Sequence, residues 1–226
     1  MQINEIFYSI QGEGKLAGVP SVFVRISGCP LRCKWCDTKY AWDEKSGRDM
    51  TIAAVCNEVA KYKTDFLVIT GGEPMVNQHL PLLVTALAKQ GKHITLETSG
   101  VAYTPDLPVD LMSISPKLSN SVPLNSKLAD VHEKAMLNVK AIKQLIKHYQ
   151  YQLKFVVDSP ADIEEVDSIL GRIGRVKKEN ILLMPQASDK KRLAEKSVMA
   201  AKLAIENGFS FSPRLHIMIW GNRKGK

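Results

Sequence analysis

The sequence has few cysteines, few aromatic residues and no long hydrophobic run. It contains four cysteines in 226 residues, three of them within positions 29–36, which is too clustered for a disulfide framework and is typical of a reducing compartment. No apolar stretch approaches the roughly 20 residues that a membrane-spanning helix needs. The first residues lack a basic segment followed by an apolar one, so they predict no signal peptide. We therefore expect a cytoplasmic protein with no membrane partner.

The net charge of +8 does not come from one basic tract. The lysines and arginines are dispersed, with small groups at 134–147, 190–192 and 223–226. No long basic run with interleaved aromatic residues is present, and that combination would be typical of a nucleic-acid interface. A solvated basic surface is expected instead, with no nucleic-acid partner.

The chain alternates between predicted strands and helices, which favours an α/β fold with a mainly parallel sheet. After a short extended run at 6–10, strands are predicted at 19–27, 65–70, 93–98, 110–115, 152–157, 181–184 and 214–220. Helices are predicted at 51–63, 78–90, 129–149, 160–171 and 189–207. The length favours a single domain over residues 1–226.

The architecture expected is a partial, open (β/α) barrel of about six mainly parallel strands, too few for a closed eight-stranded barrel. Aliphatic residues lie on one face of the predicted strands, whereas Arg25, Glu97, Ser113 and Lys154 lie on the other. A fully buried sheet would give continuous apolar runs instead. The polar face therefore predicts a site at the carboxyl ends of the strands.

Three cysteines, Cys29, Cys33 and Cys36, form a C-x3-C-x2-C pattern. Thiolates are soft ligands for iron–sulfur clusters, zinc and copper(I), but a structural zinc site usually takes four ligands in two close pairs. Three close thiolates would hold a cubane cluster with one iron open to a small molecule, while a zinc knuckle and a redox dithiol remain alternatives. Cys56 lies in the apolar stripe of a predicted helix and is expected to be a small buried hydrophobe rather than a ligand.

The cysteine pattern followed by Thr70-Gly71-Gly72-Glu73-Pro74 resembles the radical S-adenosylmethionine (SAM) superfamily. The resemblance implies a [4Fe-4S] cluster whose open iron binds SAM, and cleavage of SAM to a 5′-deoxyadenosyl radical. It also implies that the glycine-rich motif contacts the amino group of SAM. Glu97-Thr98-Ser99-Gly100 and Ser115-Pro116-Lys117 would contact its ribose and carboxylate.

Further motifs resemble the 7-carboxy-7-deazaguanine synthase family over nearly the whole chain. They are Gln11-Gly12-Glu13-Gly14, Arg25, Cys36-Asp37-Thr38, Ser115-Pro116-Lys117, Leu215-His216 and Trp220-Gly221-Asn222. The resemblance implies a magnesium-dependent lyase of queuosine and 7-deazapurine biosynthesis. Such an enzyme contracts 6-carboxy-5,6,7,8-tetrahydropterin to 7-carboxy-7-deazaguanine with loss of ammonia, using SAM without consuming it. A homodimer and an electron donor such as flavodoxin or ferredoxin are also implied.

The same resemblance assigns candidate site residues. Those matching substrate contacts are Ile10, Gln11, Gly12, Glu13, Arg25, Thr70 and His216. Those matching SAM contacts are Trp35, Cys36, Asp37, Gly72, Glu97, Ser115, Pro116, Lys117, Lys154, Met184, Pro185, Gln186 and Ala187. Cys29, Cys33 and Cys36 match the cluster ligands, and Thr38 matches a magnesium ligand. The sequence departs from the family at Ser99, where asparagine is common, and its C-terminal segment belongs to a variable region.

The residue types suit the implied chemistry. Arg25 offers a planar fork for a substrate carboxylate, and Gln11 with Glu13 offers donors and acceptors for a pyrimidine edge. Magnesium is often held by few protein oxygens together with substrate and water, which suits a single threonine ligand. Two alternatives stay open: a glycyl-radical enzyme activase or other radical SAM enzyme, which shares the cysteine spacing, and a non-catalytic metal-binding module on nucleic acid.

Overall fold

The computed structural model describes residues 1–226 and contains one nine-stranded sheet. Its strands are β1 (Gln2–Ile10), β2 (Pro20–Ile26), β3 (Arg48–Asp49), β4 (Phe66–Gly71), β5 (His93–Thr98), β6 (Leu111–Ile114), β7 (Tyr151–Val157), β8 (Ile181–Pro185) and β9 (Ser210–Phe211). Its helices are α1 (Ile52–Ala60), α2 (Leu80–Ala88), α3 (Ala129–Ala135), α4 (Val139–His148), α5 (Asp162–Ile173), α6 (Lys190–Asn207) and α7 (Leu215–Trp220).

The sheet is mainly parallel and open. Its strand order is β3-β1-β2-β4-β5-β6-β7-β8-β9. Every pair from β2 to β9 is parallel, whereas β1 is antiparallel to both β2 and β3. The two edge strands do not pair with each other. This confirms the expected open, barrel-like α/β core, in which seven strands are parallel where about six were expected. Strands β1 and β3 extend one edge, and only β1 runs opposite to the others.

The two faces of the strands differ as the sequence pattern indicates. In β2, Val22, Val24 and Ile26 are at most 1% exposed and belong to the hydrophobic core that the helices cover. Arg25, between them, lines a cavity on the opposite face. Cys56 of α1 is only partly buried, packs against the core and lies outside that cavity. The aliphatic face therefore holds the helices, and the polar face is left for a site.

Short-range signals place several helix ends. The Thr51 side chain accepts a hydrogen bond from the Ala54 N–H at the start of α1, and Asp189 caps α6 in the same way through Arg192. Gly208 has φ of +67° and ends α6 in the left-handed conformation that glycine adopts without strain. None of the helices is long and apolar enough to cross a membrane.

Two predicted elements are wrong. The single helix expected at 129–149 is broken into α3 and α4, because the Asn138 side chain accepts a hydrogen bond from the Ala141 N–H and starts a new helix. The strand expected at 214–220 is helix α7, and the last strand is the two-residue β9. A short apolar run such as 215–220 fits either a strand or a helix by periodicity alone. The Leu215 N–H donates to the Gly12 carbonyl (2.9 Å), so α7 starts against the loop after β1.

Candidate active site

A cavity of about 480 Å³ lies at the carboxyl ends of the parallel strands. Its volume is within the range of roughly 300–1,000 Å³ that small-molecule sites occupy. The predicted site residues that line it are Ile10, Gln11, Gly12, Glu13, Arg25, Cys29, Cys33, Trp35, Cys36, Asp37, Thr38, Thr70, Gly72, Glu97, Ser115, Lys117, Lys154, Met184 and His216. Pro116, Pro185, Gln186 and Ala187 are the predicted residues that do not line it. The structure thus brings nearly all of the predicted residues to one place.

The cysteine loop is held by hydrogen bonds to the segments around it. The Cys29 N–H donates to the Trp42 carbonyl (3.1 Å), the Arg32 N–H donates to Nδ1 of His132 (3.0 Å), and the Lys34 N–H donates to the Ser121 carbonyl (2.8 Å). His132 is fully buried. These contacts hold the backbone of the loop in place, so its side chains are directed by the fold rather than by a flexible loop.

The three cysteines of the loop are free thiols that face the same cavity. Burial raises the pKa of Cys29 to about 12, and burial also raises the pKa of Cys33. Thiols of this kind become thiolate ligands only when a metal centre replaces the proton. No three His, Cys, Asp or Glu side chains converge on a position for a single metal ion. The three thiols face one cavity, and cysteine thiolates are the usual ligands of an iron–sulfur cluster.

A buried ionic network lies beside this loop. Lys154, 2% exposed, donates to Oε2 of Glu13 (3.0 Å) and to Oε2 of Glu97 (2.9 Å), and Gln11 donates to the other oxygen of Glu97 (3.1 Å). The other oxygen of Glu13 accepts from Nε of Arg214 (3.2 Å). These contacts join the loop after β1 to strands β5 and β7 and to the residue before α7.

The network fixes the protonation of its members. Burial raises the pKa of Glu13, but the cations Lys154 and Arg214 outweigh burial and hold that pKa well below its ordinary value. Burial opposes the charge of Lys154, but Glu97 and Glu13 outweigh it and raise the pKa of the amine. The site therefore contains fixed charges near neutral pH, because each buried charge has a partner of opposite sign.

Arg25 lies at the other side of the cavity, where its charge is paired with Glu5. Nε of Arg25 donates to Oε1 of Glu5 (2.7 Å), and the hydroxyl of Tyr40 donates to the same oxygen (2.8 Å). The two Nη groups of Arg25 make no hydrogen bond to the protein. Glu5 thus orients the guanidinium, whose outer nitrogens can still bind an anion in the cavity.

The glycine-rich motif has a structural role through its glutamate. Glu73 is 2% exposed and accepts from the Thr98 hydroxyl (2.6 Å), the Ser99 N–H (2.7 Å) and the Met75 N–H (3.1 Å). Its carboxylate therefore orders the loop after β5. Gly72 lines the cavity, and a Cβ at this position would clash with the Gly28 carbonyl. A larger residue would push the motif away from the cysteine loop.

The remaining predicted residues lie in different parts of the wall. Lys117 donates to the Ser115 hydroxyl (2.9 Å), with its ammonium 5.6 Å from the centre of the Trp35 ring. Thr38 Oγ1 lies 3.6 Å from Sγ of Cys36. His216 packs on Gly12, where any Cβ would overlap the imidazole. Burial lowers the pKa of His216 despite the nearby carboxylate of Glu13, which favours the neutral ring.

Several residues of the cavity were not predicted from the sequence. They include Phe7, Phe23, Tyr40, Trp42, Arg214 and the segment 223–226. The aromatic side chains belong to no sequence motif. Phe23 could have been found, because it lies on the same strand face as Arg25. Arg214 was placed in a strand, and nothing local to it indicated partners nearly 200 positions away.

The chain is similar to known proteins in sequence and in fold. The model for the radical SAM superfamily matches residues 23–118. A 7-carboxy-7-deazaguanine synthase of Halobacterium salinarum is 40% identical over 98% of this chain and 91% of the relative. A protein of the same name from Rhodopirellula baltica is 38% identical over 99% of this chain and 88% of the relative.

Solved structures agree with these relatives. The crystal structure of QueE from Escherichia coli matches with a TM-score of 0.74 and 25% identity, covering 95% of this chain and 94% of that one. The structure of Streptococcus suis SuiB bound to its precursor peptide shares the fold, with a TM-score of 0.56 and 13% identity over 83% of this chain and 46% of that one. On full-length similarity at this level of identity, the chain belongs to the 7-carboxy-7-deazaguanine synthase family of radical SAM enzymes.

Proposed function

We propose that the protein converts 6-carboxy-5,6,7,8-tetrahydropterin to 7-carboxy-7-deazaguanine and ammonia, in queuosine and 7-deazapurine biosynthesis. The observation that carries the proposal is the cavity, in which the three cysteines share one space with Gln11, Glu13 and Arg25. A cofactor on the cysteine loop and a substrate on the other residues would therefore lie next to each other. Such proximity is the main requirement for a radical to be passed directly between them.

Each group of residues has a proposed task. Cys29, Cys33 and Cys36 would hold the [4Fe-4S] cluster, and this cluster with SAM supplies a 5′-deoxyadenosyl radical when both are bound. The SAM contacts expected from the sequence remain proposed for this chain. Trp35, Ser115 and Lys117 support the SAM contacts most directly. All three line the cavity, and Lys117 contacts both the Ser115 hydroxyl and the Trp35 ring.

The substrate end of the cavity suits a carboxylated pterin. The outer nitrogens of Arg25 would bind the carboxylate, since only Nε is used by Glu5. The carboxylate of Glu13 is held ionised, and it would accept hydrogen bonds from the N–H groups of the pyrimidine ring. Its two protein partners keep it ionised and fixed in the same position before substrate arrives.

Three further assignments accompany the proposal. We propose Thr38 as a magnesium ligand, supported by its place in the cavity wall next to Asp37. We propose a one-electron donor such as flavodoxin or ferredoxin, because reductive cleavage of SAM needs an external electron. We also propose a homodimer and a cytoplasmic location. We also propose that residues 1–226 act as one radical SAM domain, supported by the single continuous sheet.

An anaerobic assay tests the function. The reconstituted protein is incubated with SAM, a reductant, magnesium and the carboxypterin, and product and SAM are quantified by liquid chromatography with mass detection. We expect more than one 7-carboxy-7-deazaguanine per SAM, since SAM is not consumed. Cleavage of SAM in proportion to time with no deazapurine formed would contradict the proposal and favour an activase acting on another molecule.

A further inference from the structure

Arg214 contacts three separate segments of the chain through one guanidinium, and two of these, at Glu13 and Asp37, line the cavity. Nε donates to Oε1 of Glu13 (3.2 Å), one Nη donates to Oδ2 of Asp37, and the other Nη donates to the carbonyl oxygen of Ala187. The residue is 8% exposed and lies immediately before α7. Its three kinds of nitrogen are all used by the protein, so the guanidinium is held rigidly and is not free to bind a ligand.

The three partners come from distant parts of the chain. Glu13 is 201 positions from Arg214, Asp37 is 177 positions away and Ala187 is 27 positions away. In the proposed function, Glu13 belongs to the pterin end of the cavity. Asp37 directly follows a cluster ligand, and Ala187 belongs to the segment after β8 that was assigned to SAM. One side chain therefore joins the two ends of the cavity.

We propose that Arg214 is a positioning residue that fixes the pterin end of the cavity relative to the SAM end. The proposal rests on the proposed function, because it concerns two ligands of that reaction. The planar guanidinium presents donors in three directions at once, and a lysine ammonium at the same place cannot match that geometry. Glu13 is also held by Lys154, so the loss of Arg214 displaces its carboxylate without leaving it unpaired.

The expected effect is a defect in transfer between two bound ligands. A displacement of about 1 Å between reacting groups costs on the order of 100-fold in rate. Binding of each ligand alone depends mainly on contacts other than Arg214. We therefore expect the rate constant of product formation to fall much more than either affinity.

The main test uses Arg214→Lys. Arg172→Lys is the matched control, because Arg172 is exposed on α5 and does not line the cavity. Iron content, circular dichroism, and separate titrations of SAM and carboxypterin are measured first. Product formation is then expressed per loaded cluster, together with the ratio of product to SAM cleaved. We expect a fall in rate of roughly 100-fold, a change in each dissociation constant below about fivefold, and cleavage of SAM without product. The control should behave as the unaltered protein.

A second variant separates positioning from folding. Asp37→Asn leaves Arg214 bonded to Glu13 and Ala187 but removes the charge at the cysteine loop. If both variants act through the same contact, the double variant should be no worse than the poorer single variant. Should Arg214→Lys fail to fold, Arg214→Gln decides the question by the same ratio of product to SAM cleaved, because it leaves Asp37, itself an expected SAM contact, unaltered.

Two results would overturn the proposal. One is a product rate per loaded cluster within threefold of the unaltered protein. The other is a loss of product strictly in proportion to lost iron or lost folded protein, with the ratio of product to SAM unchanged. A failure of the proposed function itself is distinguishable, because then the unaltered protein would make no deazapurine.

Discussion

Replacing Lys154 by methionine should strongly destabilise the fold, because this lysine neutralises two largely buried carboxylates, Glu13 and Glu97, whose side chains are 19% and 17% exposed. The ammonium lies 3.0 Å from Glu13 and 2.9 Å from Glu97, and Lys154 is 2% exposed. After the change, Glu13 keeps Arg214, but Glu97 keeps only the neutral amide of Gln11. Removing one partner from a buried ionic group typically costs about 3–5 kcal/mol, which is the loss in free energy of unfolding that we expect near neutral pH.

The loss in free energy of unfolding caused by Lys154→Met should depend on pH in a defined direction. The pKa of Glu13 is depressed below its ordinary value of 4.5, since its cationic neighbours outweigh burial. Its contribution to the free energy of unfolding is therefore fully present above about pH 4.5, and it is lost progressively as the pH falls from there through the lower pKa of the folded state. The pKa of Lys154 is raised above 10.5, so the contribution of this lysine is present below that pH. The deficit of the variant should be constant between about pH 6 and 9 and should narrow below about pH 4.5.

Urea unfolding of the cluster-free protein under reducing conditions measures this deficit at each pH. Lys143→Met is the matched control, because Lys143 is exposed on α4; it should change the free energy of unfolding by no more than about 0.5 kcal/mol. At neutral pH, a loss in free energy of unfolding below about 1 kcal/mol for Lys154→Met is outside the range for buried partners. So small a loss would refute the view that the charges of the network are shielded from water and neutralise one another.

Three further predictions concern the cavity wall. Alanine at any of the three loop cysteines should abolish iron binding and visible absorbance after anaerobic reconstitution, whereas Cys56→Ala should keep both; cluster loss in the Cys56 variant alone would reverse the assignment. Arg25→Ala should weaken carboxypterin binding by about 10- to 100-fold, the value of one charge-assisted hydrogen bond, and leave SAM cleavage without substrate unchanged. If both fall together in calorimetry and cleavage assays, Arg25 is a structural partner of Glu5. His132→Leu should lower the free energy of unfolding by about 1–3 kcal/mol in urea, because the Arg32 N–H loses its buried acceptor; no change would mean that water replaces the ring.

The sequence predicted the parts of the fold that depend on local patterns. The strand at His93–Thr98 was predicted with its correct bounds, because alternating residues there point to opposite faces. The break at Asn138 was missed, since the apolar periodicity on both sides of it fits one continuous helix. Helix α7 was missed because its apolar residues fit two periods equally well, and its position depends on a contact with Gly12.

The site was predicted as a set of residues and not as a network. Motif spacing brought most of the lining to one edge of the sheet, which is where parallel strands place their carboxyl ends. The pairing of Lys154 with Glu13 and Glu97, and of Arg25 with Glu5, could not be predicted, because each partner is chosen by tertiary packing. The glutamate of the glycine-rich motif shows the same limit, since its partners are in the next strand's loop.

The open edge of the sheet has a consequence for the order of folding. No strand pairing closes the cavity; instead, the loop after β1 meets residues close to the other end of the chain, as when the Gly14 N–H donates to the Ser212 hydroxyl (2.8 Å), 198 positions away. Such long-range contacts form late, because the entropy of closing a large loop opposes them. During synthesis, the cysteine loop would therefore leave the ribosome long before the wall that Arg214 supports.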